Sequence, residues 1–160
     1  MSFTNNQGSE ARLEKKQKGG FWLRKWDSVD VTNLLMLIAG HSLAACAPFM
    51  FNWGAFWVAL LIEVISGLGV AIGYHRLLTH KSFKIPKWLE YIIVYCGLLS
   101  GEKDPIYWVS VHKNHHMYVD TEKDPHTPKE GFWFSHMGWL LDNEYIAAKV
   151  PVFIVRGFIS

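Results

Sequence analysis

Residues 31–74 read VTNLLMLIAGHSLAACAPFMFNWGAFWVALLIEVISGLGVAIGY, and their near-absence of charge decides the fold. Val31 to Phe51 is 21 residues without one Asp, Glu, Lys or Arg, and Trp53 to Tyr74 is 22 residues with a single one, Glu63. As a helix, each run is long enough to cross a hydrocarbon core of roughly 30 Å. Little more than Asn52 separates them, so they are predicted to form a tight antiparallel membrane hairpin. Two buried helices of a soluble domain are the weaker alternative at these lengths. Basic residues flank the outer ends, with Arg24 and Lys25 before and Arg76, Lys81, Lys84 and Lys87 after, while the turn carries none. By the positive-inside rule both ends face the cytosol or its equivalent.

Inside the hairpin, His41 and Glu63 lie eleven positions either side of Asn52 and should sit at similar depth. An isolated polar group there is costly, so they are expected to pair or to share a water-filled space, unless both face another helix. Gly69 and Gly73 form a small-xxx-small pattern, extended by Gly67, which predicts close helix packing rather than a smooth acyl groove.

Working outward, four segments emerge. Residues 1–30 are a basic arm ending in the interfacial anchors Trp22 and Trp26. Residues 31–74 are the hairpin, with spans at 31–51 and 53–74, and residues 75–148 are a cap on its charged side. Residues 149–160 are an unfinished apolar segment. In the cap, Trp88 to Leu99 has apolar residues at helical spacing but is too short to span. Asp104-Pro105 is a helix start, with an N-cap carboxylate and a proline at the first helical position. Phe132-Trp133-Phe134 and Trp139-Leu140-Leu141 form an aromatic wall suited to a lipid interface. The expected class is an all-α membrane protein: a transmembrane helical hairpin with a cytosol-facing, histidine-rich helical cap, truncated.

Composition fits this reading. Half of the 160 residues are hydrophobic, 8 are Trp and 10 are Phe. A net charge of +2 gives no argument for nucleic acid. Cys46 and Cys96 lie in apolar runs and read as reduced core residues. The first residues contain no apolar h-region of a secretory signal, and Glu10 and Glu14 argue against a plastid transit peptide.

The chemistry is carried by histidine. Five of the eight histidines fall in His75-Arg76-Leu77-Leu78-Thr79-His80 and His112-Lys113-Asn114-His115-His116. On a helix, His112, His115 and His116 would present three imidazoles on one face. Such a set is poor core material, because each ring needs both a donor and an acceptor satisfied. His75 and His80 are five apart, so both reach one centre only if the helix ends or unwinds between them. Asp120, Glu122 and Asp124 could accept hydrogen bonds from ligand imidazoles, with Glu122 read as a surface group. His126 and His136 are left out of the ligand set as lone structural histidines. Structural zinc would recruit cysteine, and a bis-histidine haem would need facing single histidines. A three-histidine hydrolytic zinc site remains open, but an oxygen-activating non-haem iron site fits the imidazole count and apolar setting best.

The stretch from Tyr74 to Phe83, followed by His112-Lys113-Asn114-His115-His116, resembles the first two histidine boxes of the membrane fatty-acyl desaturases. Asp124-Pro125-His126 and Glu130 to Trp139 match further segments of that family, and the resemblance runs from about Phe21 to about Asp142. Its nearest branch is the delta-nine acyl-CoA and acyl-lipid desaturases of plants and bacteria. The resemblance implies a di-iron enzyme with two non-haem Fe2+ ions that uses oxygen and two electrons to form a cis double bond in a saturated acyl chain. The metal ligands it implies are His75, His80, His112, His115 and His116, with Asp124 read as a hydrogen-bond partner of a ligand. Its substrate would be a fatty-acyl-CoA or an acyl lipid, and its electron donor a b-type cytochrome or ferredoxin. The implied location is an integral, multi-pass protein of the endoplasmic reticulum, with a plastid membrane or bacterial inner membrane as alternatives.

The departure is the family's third histidine box, which does not occur before Ser160. Five imidazoles alone leave two iron ions short of ligands. The expectation is therefore a truncated or partial desaturase that cannot hold the full site alone. The rival readings are a non-catalytic metal-binding or regulatory partner of a full-length desaturase, and an acyl or sterol hydroxylase with the same boxes.

Overall fold

A computed structural model of the chain describes residue 21 and residues 24–150. Trp22, most of the basic arm and most of the last apolar segment therefore lie outside the described residues. No strand occurs among them.

Helix α1, Ser28–Cys46, begins at a capping box in which the Asp27 and Asp30 side chains each accept from the other's backbone N–H. A 3-10 turn, Ala47–Met50, extends it. Helix α2, Trp53–Leu68, starts where the Asn52 side chain accepts from Ala55 N. It runs on without a break as a π-helix, Gly69–Thr79. The continuous helical stretches Ser28–Met50 and Trp53–Thr79 contain 18-residue windows with mean hydropathies of 1.5 and 2.2, and both are long and apolar enough to cross a membrane. Almost none of this surface is covered by protein: Leu43 is 73 % exposed and Phe49 89 %. A soluble core would bury such helices, so the exposure argues for lipid as their solvent.

The two helices follow one another across a short turn, as expected, but make few contacts with each other. Helix α1 packs on a 3-10 turn at Gly138–Leu141, whereas α2 and its π extension pack on helix α3, Lys87–Leu98. Two apolar helices in lipid gain nothing from burying apolar surface against each other, so specific contacts elsewhere decide. The His41–Glu63 pair does not form. His41 Nδ1 lies 2.8 Å from Leu37 O, and among the described residues no hydrogen bond reaches the exposed Glu63 carboxylate.

The glycine motif does what its spacing predicts, with one exception. A Cβ on Gly69 would lie 2.1 Å from Gly97 N, and one on Gly73 would lie 3.1 Å from Ile93 Cγ2, so both glycines admit α3. Gly67 has nothing within 4 Å and takes no part.

Helix α4, Pro105–Tyr118, starts as expected, with Asp104 accepting from Ile106 N and Tyr107 N at 3.0 and 2.9 Å. A loop over residues 119–127 leads to a 3-10 turn, Pro128–Glu130, then α5, Phe132–His136, and α6, Asn143–Lys149. Gly131 takes φ 97° before α5, a conformation that favours a residue without a Cβ. The cap core is Val111, Tyr145 and Ile146, with Tyr107, Phe134 and Trp139 packed against it.

Polar bonds fasten α1 to this cap. Buried Arg24 donates to Asp30 Oδ2 at 2.6 Å and to Leu141 O, and its guanidinium lies 4.4 Å from the Trp26 ring centroid. Asp30 Oδ1 accepts from Asn143 N at 2.8 Å, and Asn33 Nδ2 donates to Leu140 O at 2.7 Å. The first turn of α1 is thus held by hydrogen bonds, while the apolar residues beyond it stay largely exposed. Between α1 and the aromatic wall lies a largely apolar cavity of about 680 Å³, lined in part by Leu37, Ile38, Trp133 and Met137.

The crossing gives a paired expectation. Gly69→Ala should destabilise the protein by about 1–3 kcal/mol, because the added methyl meets backbone that cannot yield. Gly67→Ala, facing open space, should be neutral or stabilising by up to about 1 kcal/mol. Thermal unfolding of the two variants in one detergent checks the contrast.

Candidate metal centre

The end of α2 supplies the first two imidazoles. In a π-helix the bonds run from i to i+5, so residues five apart stack one above the other, as residues four apart do in an α-helix. His80 N–H donates to His75 O at 3.1 Å, and the two Nε2 atoms lie 3.0 Å apart. As their spacing requires, the helix unwinds into the wider π form and then ends between them, at Thr79, with His80 as its C-cap.

Helix α4 supplies the next two. His112 and His116, four apart, point the same way, and their Nε2 atoms lie 2.9 Å apart. The pairs face each other, with the His75 and His112 rings 4.8 Å apart by centroid and the His80 and His116 rings likewise 4.8 Å. One ligand nitrogen from each of the four lies within 4.8 Å of the others. Metal–nitrogen bonds of about 2.0–2.1 Å place neighbouring ligand nitrogens about 2.9 Å apart at right angles and opposed ones about 4.2 Å apart. The set therefore fits one ion with a small inward adjustment.

Charge supports the fit. Burial, then the neighbouring His116, His75, His115 and His80, push His112 down to about 3. Burial and the surrounding histidines also lower His116. These imidazoles are neutral at pH 7 and offer lone pairs. Trp108 stacks on His112 with centroids 4.5 Å apart, and its Nε1–H donates to Glu102 Oε2 at 2.8 Å.

The expected three-imidazole face splits. Consecutive residues turn by about 100° on an α-helix, so His115 stands well away from His116 and leaves the four-nitrogen set. It joins Asp124 and His126 in a second group. His115 Nδ1 lies 3.0 Å from Oδ1 of fully buried Asp124. That oxygen also accepts from His126 N, and Oδ2 accepts from Asp120 N, both at 3.1 Å. Burial alone would raise the Asp124 carboxyl, but the His115 bond and the two backbone N–H groups hold it below its ordinary value. The carboxylate is therefore ionised, with Nδ1–H of His115 donating to it, which leaves Nε2 as the free nitrogen.

Asp120 offers a backbone N–H rather than its carboxylate, and Glu122 is exposed with its carbonyl accepting from Lys149. His136 stacks on Phe132 and joins neither group. His126 is the residue that sequence reasoning set aside. The signal was Asp124-Pro125-His126, since an aspartate bonds the N–H two residues on in an Asx turn and so fixes the histidine beside it. Asn114, between the ligand histidines, was also missed: it is fully buried and donates to Lys123 O at 3.0 Å, tying the loop to α4.

With this geometry in hand, comparison with known proteins is specific. The profile of the family described as fatty acid desaturase matches residues 51–159. Delta-9 acyl-lipid desaturase 2 of Arabidopsis thaliana is 49% identical over 146 residues, covering 90% of this chain and 48% of the relative. Icosanoyl-CoA 5-desaturase of Limnanthes douglasii is 50% identical over 143 residues, covering 88% and 40%. The chloroplastic palmitoyl-monogalactosyldiacylglycerol delta-7 desaturase of Arabidopsis thaliana is 43% identical over 142 residues, covering 88% and 38%. The chain spans about half the length, or less, of these relatives. Over the span they share, its residues and its converging imidazoles make it a member of the fatty acid desaturase family.

Proposed function

We propose that this chain provides the iron-binding and membrane-anchoring part of a fatty-acyl desaturase, an oxidoreductase that introduces a cis double bond into a saturated acyl chain. The observation that carries the reading is the meeting of four Nε2-bearing imidazoles from two helices at one point. His75, His80, His112 and His116 would hold one iron. His115, steadied by Asp124, would serve a second, which needs further ligands. An unactivated methylene has no acidic proton, so bound iron would supply the oxidant, drawing on oxygen and two electrons.

The protein's own share is positional. The π-helix aligns His75 with His80, α4 aligns His112 with His116, and α3 packs closely on the first of these carriers at Gly69 and Gly73. The substrate is an acyl chain on coenzyme A or on a lipid head group, since relatives bear names of both kinds. The electron donor is a b-type cytochrome or ferredoxin, docking on the polar face of the cap. The protein is multi-pass, with the histidines on the side of Lys81, Lys84 and Lys87, which is cytosolic by the positive-inside rule. The endoplasmic reticulum is the first location to test and a plastid membrane the next.

Two measurements test this. Purified protein should bind iron, and His80→Ala or His112→Ala should abolish binding at the four-imidazole position. Expression in a desaturase-deficient cell, together with any part of the protein beyond this chain, should yield unsaturated acyl products. Hydroxylated products would favour a hydroxylase instead, and an iron-free protein would leave a lipid-embedded scaffold.

The pH dependence has a definite sign. His112 has an ordinary value of 6.5 that drops to about 3 in the folded, metal-free protein. Between those values the unfolded chain binds more protons, so stability is lost as pH falls from about 6.5 towards 3 and is flat above. Melting temperature against pH should show this slope in the metal-free protein, and His112→Asn should reduce it.

A further inference from the structure

We propose that His126 is a positioning residue for His115: its imidazole, packed against Trp139 and His115, keeps the His115 ring turned with Nδ1 on Asp124. The inference rests on the reading above, in which His115 offers Nε2 to a metal ion.

A histidine's χ2 has broad and roughly two-fold preferences, so the ring can turn over unless its surroundings choose a side. Turning over would place a carbon against Asp124 Oδ1 and deprive a fully buried carboxylate of its charge-assisted bond. Something must hold the ring. The His126 and His115 centroids are 4.2 Å apart with their planes 36° from parallel. His126 also meets Trp139, with centroids 5.2 Å apart and planes 51° from parallel. His126 thus touches both the His115 ring and the aromatic wall.

His126 does this by shape. Its Nδ1 lies 3.7 Å from Asp124 Oδ1, too far for a hydrogen bond, and it is the backbone N–H of His126 that bonds this carboxylate. Substituting the side chain therefore leaves the Asp124 backbone bonds in place. The loop beneath is fixed independently, by Asn114 Nδ2 on Lys123 O at 3.0 Å and by Lys149 Nζ on the carbonyls of Glu122 and Asp124. These ring contacts thus rest on a rigid base.

The test compares His126→Ala with His126→Phe, which keeps a flat ring but no nitrogen. In metal-free protein in detergent, nitrogen-15 NMR of the imidazoles should show His115 as a single Nδ1–H tautomer in the wild type. It should stay so in the Phe variant and give averaged nitrogen signals in the Ala variant. In Co2+ titrations of the protein together with any part of it beyond this chain, followed by metal analysis and optical spectra, His126→Ala should weaken the second ion by about 10–100-fold and leave the four-imidazole ion unchanged. His126→Phe should bind like the wild type. An unchanged tautomer in the Ala variant overturns the proposal. So does a Phe variant as impaired as Ala, which would mean that the nitrogen itself is required. If the wild type takes up no second Co2+ while the tautomer responds as described, the metal reading fails and the positioning role stands.

Discussion

Imidazoles carried by two separate helices can share an ion only if each helix presents a matched pair on one line, and the i to i+5 bonding at the end of α2 is what makes this possible. In an α-helix, His75 and His80 would diverge, and the nitrogens of α4 would face one partner instead of two. The π-helix runs through eleven residues, Gly69–Thr79. That is far more than the single-turn bulge in which this geometry is usually met. Its bonds are maintained to the last turn, where His80 N–H reaches His75 O. The two glycines that admit α3 lie in the same stretch, so close packing and the altered register support each other.

The two kinds of surface are kept apart by the solvents they meet. Along α1 and α2, apolar side chains stay exposed because lipid accepts them at no cost, and the pair shows little attraction for itself. Where α1 meets the cap the interactions are polar and buried: Arg24 with Asp30, Asp30 with Asn143 N, and Asn33 with Leu140 O. Buried charges of this kind are tolerated because each is hydrogen-bonded on several sides. They fix where the membrane helix enters the cap without constraining how it leans in the bilayer.

Within the histidine box, one residue of spacing separates two roles. His116 is four residues beyond His112 and joins its partner, while His115 is turned aside towards a buried carboxylate. Asp124 then selects which nitrogen of His115 remains free. Helical pitch and one loop thereby gather four of the five imidazoles at one point and turn the fifth towards Asp124 and His126.

Much of this was legible in the residues. The charge-free runs gave two membrane-length helices, Asp104-Pro105 gave the start of α4, Gly69 and Gly73 gave a close crossing, and the histidine boxes gave the imidazoles that converge. These are local properties, set by composition, propensity and spacing. What the tertiary structure alone decided was which surfaces meet: α1 on the Gly138–Leu141 turn and not on α2, His41 on its own helix and not on Glu63, His115 with Asp124 and His126. It also decided that the helix widens between His75 and His80. Such choices depend on the balance of contacts among segments distant in the chain, and side-chain pattern along a single segment carries no record of that balance.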